Sequence, residues 1–119
     1  MRRMGELWSA SLYLWHLVDL LRISNERLLT LINDPGRGIT GFDENALAEA
    51  RRYEQLSTAV GLISLRMAAR DWAETVRHAP DEVTVSHPEL GVLGALEIIR
   101  RTAHEVHHHV MDIDRYRLP

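Results

Sequence analysis

Cysteine is absent from all 119 residues. Its absence excludes disulfides, thiolate metal ligands and a cysteine nucleophile, so a metal would have to be held by histidine and carboxylates. No apolar run approaches the ~20 residues a membrane span requires, so no membrane association is expected. A basic excess is missing too. The formal charge of −3 offers no electrostatic reason for nucleic-acid binding. Beyond one histidine cluster there is no low-complexity tract and no internal repeat, and no strand pattern is strong enough to claim.

What is present fits a soluble globular protein, with 45% hydrophobic and 26% charged residues. The length suits one domain covering 1–119. Met1-Arg2-Arg3-Met4 followed by Leu7 to Leu21 faintly resembles an export leader. However, Glu6, His16 and Asp19 interrupt the apolar part and no small-residue cleavage site follows. The cytoplasm is the expected location.

The periodicity predicts three long helical blocks. The first starts at Trp8-Ser9, with Ser9 as N-cap, and runs to about Asn33. Its residues Leu14, Leu17, Val18, Leu21, Leu28 and Ile32 share one face. Asp34-Pro35-Gly36-Arg37-Gly38 then breaks the helix. Asp43 is placed to cap a short helix over Glu44 to Tyr53, and Ser57 to cap a longer one reaching about His78. There Leu62, Leu65, Ala69, Trp72 and Val76 repeat at heptad-like spacing. Ala79 to Gly91 reads as a loop holding Pro80 and Pro88, with Ser86 and Glu89 at capping-box spacing. In the last helix Val92, Leu96, Ile99, Ala103, Val106, Val110 and Ile113 alternate steps of four and three, which predicts a core seam. Such helices joined by short loops imply an all-α antiparallel bundle.

His104-Glu105-Val106-His107-His108 carries the chemistry. His104 and His108 lie four residues apart, about 40° around a helix axis, which suits two ligands of one divalent ion. With His16 from the first helix they would form a three-nitrogen site with an open position. The plainer reading is a solvated, histidine-rich helix face, because the pair points roughly 140° from the apolar seam. His107 could replace His108 as a ligand at i, i+3. His109 points about 100° further round and reads as a surface group or one behind the ligands. Asp112 and Asp19 are spaced to orient His108 and His16, and Arg101 and Arg115 lie toward the histidine side, where an anionic substrate could be received. The letters also fit the H-E-x-x-H zinc-protease pattern. Too little chain follows for the usual third ligand on a separate element, so a protease is the least favoured enzyme.

Several segments together resemble the DinB/YfiT-like superfamily. They are Trp8-Ser9-Ala10, Tyr13-Leu14-Trp15-His16-Leu17-Val18-Asp19, Asn25-Glu26-Arg27-Leu28, Gly41-Phe42-Asp43, Arg52-Tyr53 and the closing stretch from Ala103 to Ile113. The resemblance spans most of the chain. It implies a four-helix bundle holding a divalent metal, zinc or nickel, on His16, His104 and His108. Relatives include thiol-dependent S-transferases and the mycothiol-dependent maleylpyruvate isomerase, in which the metal activates the thiol of a small-molecule cofactor such as mycothiol.

Relative to that family the usual first helix is missing. Either the short Glu44–Tyr53 helix fills the gap or a partner subunit covers an apolar groove. Because the first helix is apolar on nearly every side, with Leu12, Leu20 and Ile23 around His16, a homodimer is expected. The resulting expectation is a metal-dependent transferase or hydrolase that activates a thiol or water, with Glu105 as general base. The alternative is a non-catalytic helical dimerisation module with a structural or vestigial metal site.

Overall fold

The computed structural model describes residues 10–34, 36–39, 41–79, 84–87 and 91–115. Helix α1 (Ala10–Asn33) is the central element. Around it lie α2 (Glu44–Arg51), followed by a 3-10 turn over Tyr53–Gln55, then α3 (Thr58–Arg77) and α4 (Ala95–Arg115). The architecture is the expected all-α bundle, with α2 as the short fourth helix. Helix α1 packs against α3 and α4 and touches α2 and the 3-10 turn. Among the described residues no helix is long and apolar enough to cross a membrane.

Local chemistry sets most of the boundaries. Ser9, the expected N-cap of α1, lies outside the described residues. At the other end the Asp34 amide donates to the Thr30 carbonyl, and Gly36 at φ 85° takes the left-handed turn that the break requires. Asp43 caps α2 by accepting from the amides of Asn45 and Ala46. Arg52 then adopts φ 53°, a left-handed conformation that ends α2. The next residue, Tyr53, is fully buried. Ser57 accepts from the Val60 amide and starts α3.

One stretch departs from expectation. Residues read as loop contain strand β1 (Thr84–His87), which pairs antiparallel with β2 (Gly91–Gly94); Val85 lies opposite Leu93. Ser86 is therefore a strand residue rather than a helix cap, and Glu89 lies outside the described residues. Four-residue strands beside two prolines carry too short an alternation to stand out in a sequence. Leu93 is buried with Leu28, Leu31, Ala95 and Ile98 in one core cluster, while Leu12, Tyr13, Trp15, Val18, Ala48 and Tyr53 form another.

Helix α1 is buried from Leu12 through Leu21 without interruption. The near-continuous apolar surface that suggested a partner subunit is covered by the chain's own helices. Against α3 the approach is close. A Cβ placed on Gly61 would come within 2.9 Å of a Leu14 methyl and 3.1 Å of the Trp15 ring. Trp15 Nε1 also donates to the Ser57 carbonyl at 3.2 Å.

Two predicted seams are rotated. On α3 the fully buried positions are Gly61, Ala68 and Thr75. Leu65, Trp72 and Val76 are partly buried, whereas Leu62 and Ala69 face out. On α4 the buried positions are Ala95, Ile98, Thr102 and His109. Leu96, Ala103 and Val110 are exposed, and Ile99 and Val106 half-buried. The inward face of α4 keeps the four-three rhythm but is shifted by one residue. The side chains of Val92 and Ile113 lie outside the described part.

Candidate metal centre

His16 lies mid-way along the buried segment of α1 and is fully enclosed. The one-residue rotation of α4 brings His109 to it. The two Nε2 atoms are 3.1 Å apart, and the rings meet edge to face with centroids 4.5 Å apart. Glu44, in the first turn of α2, places Oε1 3.7 Å from His16 Nε2. One ligand atom from each of His16, Glu44 and His109 lies within 4.8 Å of the others, so this trio could hold a metal ion. Glu105, one turn before His109 on the same face of α4, places Oε2 3.3 Å from His109 Nε2.

The donor set fits a divalent ion. Two imidazoles and a carboxylate are a known zinc combination, and two nitrogens on a tetrahedral zinc would stand roughly 3.3 Å apart, given bonds of about 2.0–2.1 Å. Burial, and secondarily His109, push His16 down to about 3, so its imidazole is neutral and a lone pair is available at ordinary pH. Glu44 is raised by burial first, then by Glu105 and Asp43. The plain alternative is a buried His–His hydrogen bond, with one ring donating from Nε2.

Of the residues selected from sequence, His16 and Glu105 stand at this cluster. His104 and His108 do not converge on His16; both are exposed on α4. His107 is also exposed. His109, expected on the surface or behind the ligands, is the histidine that faces inward. The physical reason is the packing of α4: Ile98 and Thr102 enter the core, and the same face carries Glu105 and His109. Glu44 was missed altogether, because a glutamate after an aspartate cap looks like ordinary first-turn acidity.

Asp19 also has a different task from the one expected. Its Oδ2 accepts a 2.6 Å hydrogen bond from the buried Tyr53 hydroxyl, and its Oδ1 lies 3.4 Å from Arg51 and 3.9 Å from Arg22. Burial and the Asp19 carboxylate both raise Tyr53's pKa. The network ties the start of the 3-10 turn to α1 directly beside the cluster. The side chains of Asp112 and Arg115 lie outside the described part.

A cleft of about 170 Å³ opens beside the cluster. Glu44 and Glu105 line one part of it, and Arg27 and Arg101 reach it from α1 and α4. Ser24 and Thr102, whose hydroxyl oxygens are 2.9 Å apart, lie in its wall.

No family model and no curated protein matches this chain. Among solved structures it is similar to YfiT from Bacillus subtilis, described as a probable metal-dependent hydrolase with an unusual four-helix bundle topology. The TM-score is 0.72 at 19% identity, over 95% of this chain and 68% of that one. The fold is therefore the YfiT-type four-helix bundle, as the sequence resemblance implied, with a candidate metal site on His16, Glu44 and His109.

Proposed function

We propose that the protein is a metal-dependent hydrolase or transferase whose ion, zinc or nickel, is held by His16, His109 and Glu44. The carrying observation is the convergence of two imidazole nitrogens and a carboxylate at a buried point that opens onto a cleft. Likeness to a probable metal-dependent hydrolase supports the reading. A divalent ion there would lower the pKa of a neighbouring water or thiol and so supply a nucleophile at neutral pH. With no cysteine in the chain, a sulfur nucleophile would come from a small-molecule thiol such as mycothiol. Glu105 is half-buried at the edge of the cleft and 3.3 Å from His109, where it can accept a proton from a molecule bound in the cleft.

The test is metal content of untagged protein. One zinc or nickel per chain in the wild type, absent from His109→Ala and retained by His104→Ala, is the expected result. Failure of the wild type to take up either ion would reject the metal reading and leave the His–His hydrogen bond.

A second reading, the non-catalytic dimerisation module, takes its support from exposed apolar residues. On α3 these are Val60, Leu62, Ile63 and Met67, and on α4 Leu96, Val110 and Met111. Leu96, Ala103 and Val110 recur every seven residues on one face of α4, a pattern that suits pairing with a second copy. We include the homodimer in both readings. Light scattering checks it: a stable dimer without metal uptake favours the module, and a dimer with stoichiometric metal favours the enzyme.

A further inference from the structure

The cleft beside the cluster has a composition that selects its occupant. It presents two guanidinium groups, Arg27 and Arg101, and two carboxylates, Glu44 and Glu105. Taken alone these four charges cancel. A divalent cation at the cluster would leave the cleft with an excess of positive charge in a confined space, where such fields are poorly screened. The rest of the wall is mixed: Leu20 and Phe42 supply apolar surface beside the Ser24 and Thr102 hydroxyls.

Arg27 is held in place. Its guanidinium lies 5.6 Å from the centre of the Phe42 ring, an arrangement that fixes a cation against an aromatic face. Partial burial lowers its pKa from the ordinary arginine value, the direction expected of a charge partly removed from water. Arg101 comes from α4, one turn before Glu105, and lines the same cleft. An arginine fork can grip a carboxylate through two parallel hydrogen bonds. Leu20 and Phe42 favour a ligand with a carbon body over a bare inorganic oxyanion.

We propose that this cleft binds a small organic carboxylate, gripped by Arg27 and Arg101 against the Leu20–Phe42 wall, and that it does so only when a divalent cation occupies the neighbouring cluster. The inference rests on the metal reading and deepens it by naming the substrate class. A space of about 170 Å³ suits a small molecule of a few carbons.

Calorimetric titration of the full chain tests this, with zinc as the metal and succinate as the probe. Succinate should bind zinc-loaded wild type at least tenfold more tightly than the zinc-free protein. Arg101→Met should weaken that binding at least tenfold while retaining stoichiometric zinc, which reports an intact fold. Arg101→Lys should recover part of the loss, because it keeps the charge without the fork. Succinamide, of the same shape without the charge, should not bind. Equal succinate affinity in zinc-loaded Arg101→Met and wild type would overturn the inference and leave the metal reading standing. Inorganic phosphate binding as tightly as succinate would overturn the assignment to an organic carboxylate. If the wild type takes up no zinc, both readings fall together.

Discussion

Helices α1 and α4 each contribute one histidine to the buried pair, yet they present it in opposite ways. In α1, His16 is a polar residue inside an apolar cylinder: everything from Leu12 to Leu21 is buried, and its neighbours are mostly aliphatic or aromatic. In α4, the inward face is itself largely polar, with Thr102, Glu105 and His109 following Ile98, while Leu96, Val110 and Met111 remain exposed. The first helix follows the hydrophobic pattern, and the last one is rotated one residue away from it. A helix rotated in this way gives up part of the burial of its apolar stripe to bring polar groups to the interior, which is costly unless those groups find partners. Here they do: Thr102 meets Ser24, and His109 meets His16 and Glu105.

The strongest way to break this contrast is to exchange the faces of α4. His109→Ala should weaken zinc binding by more than about tenfold, as expected for a lost ligand. His104→Ala and His108→Ala should leave it nearly unchanged, as elemental analysis would show. If His104→Ala removed the metal instead, the orientation of α4 would be wrong and the three-histidine set His16, His104 and His108 would be restored.

The apolar side of the comparison is read from stability. Leu28, fully buried on α1, should cost ~2–5 kcal/mol when changed to alanine, measured by urea unfolding. Tyr53→Phe deletes the 2.6 Å hydrogen bond to the buried Asp19 carboxylate, which should cost about 1.5–3 kcal/mol, the range for bonds to charged groups. A smaller loss would mean that Arg51 and Arg22 suffice to hold Asp19.

Acid provides a third test. Burial and His109 hold His16 near 3, against an ordinary 6.5, so in acid the unfolded chain binds a proton that the folded chain refuses. His16 therefore contributes stability that is fully present above pH 6.5 and is lost as the pH falls toward 3. Metal-free protein should weaken across that window, and a His16→Phe variant should show a flatter profile there. The smallest effect is expected at the exposed stripe. Leu96→Ser, at a concentration where the protein is monomeric, should change unfolding by less than ~0.5 kcal/mol. A loss as large as that of Leu28→Ala would show that Leu96 is buried within the monomer.

Where structure is decided within a few residues, the sequence was legible. The cap residues Asp43 and Ser57 each accept from amides within three positions, and the expected end of α1 at Asn33 follows from the break that begins at Asp34. His16 was singled out as a candidate ligand within an apolar run and Glu105 as the carboxylate beside His104, and both stand at the cluster. The failures concern orientation. A four-three repeat on α4 reveals that a helix has an apolar stripe, but two neighbouring stripes differ by only 100° of rotation. His109 therefore looked superficial beside the more regular His104 and His108. The β1–β2 pairing was hidden for another reason, since its stability comes from a partner strand and from Leu93 entering the core rather than from alternation within four residues.

Composition, helical periodicity and capping chemistry were thus enough to determine an all-α bundle with no cysteine thiol of its own, because these depend on each residue's own properties and its near neighbours. Which histidine meets His16, and that Glu44 joins them, was decided only when α2 and α4 docked on α1. Residues 16, 44 and 109 are far apart in the chain, and a rotation of one residue in α4 exchanges an exposed imidazole for a buried one.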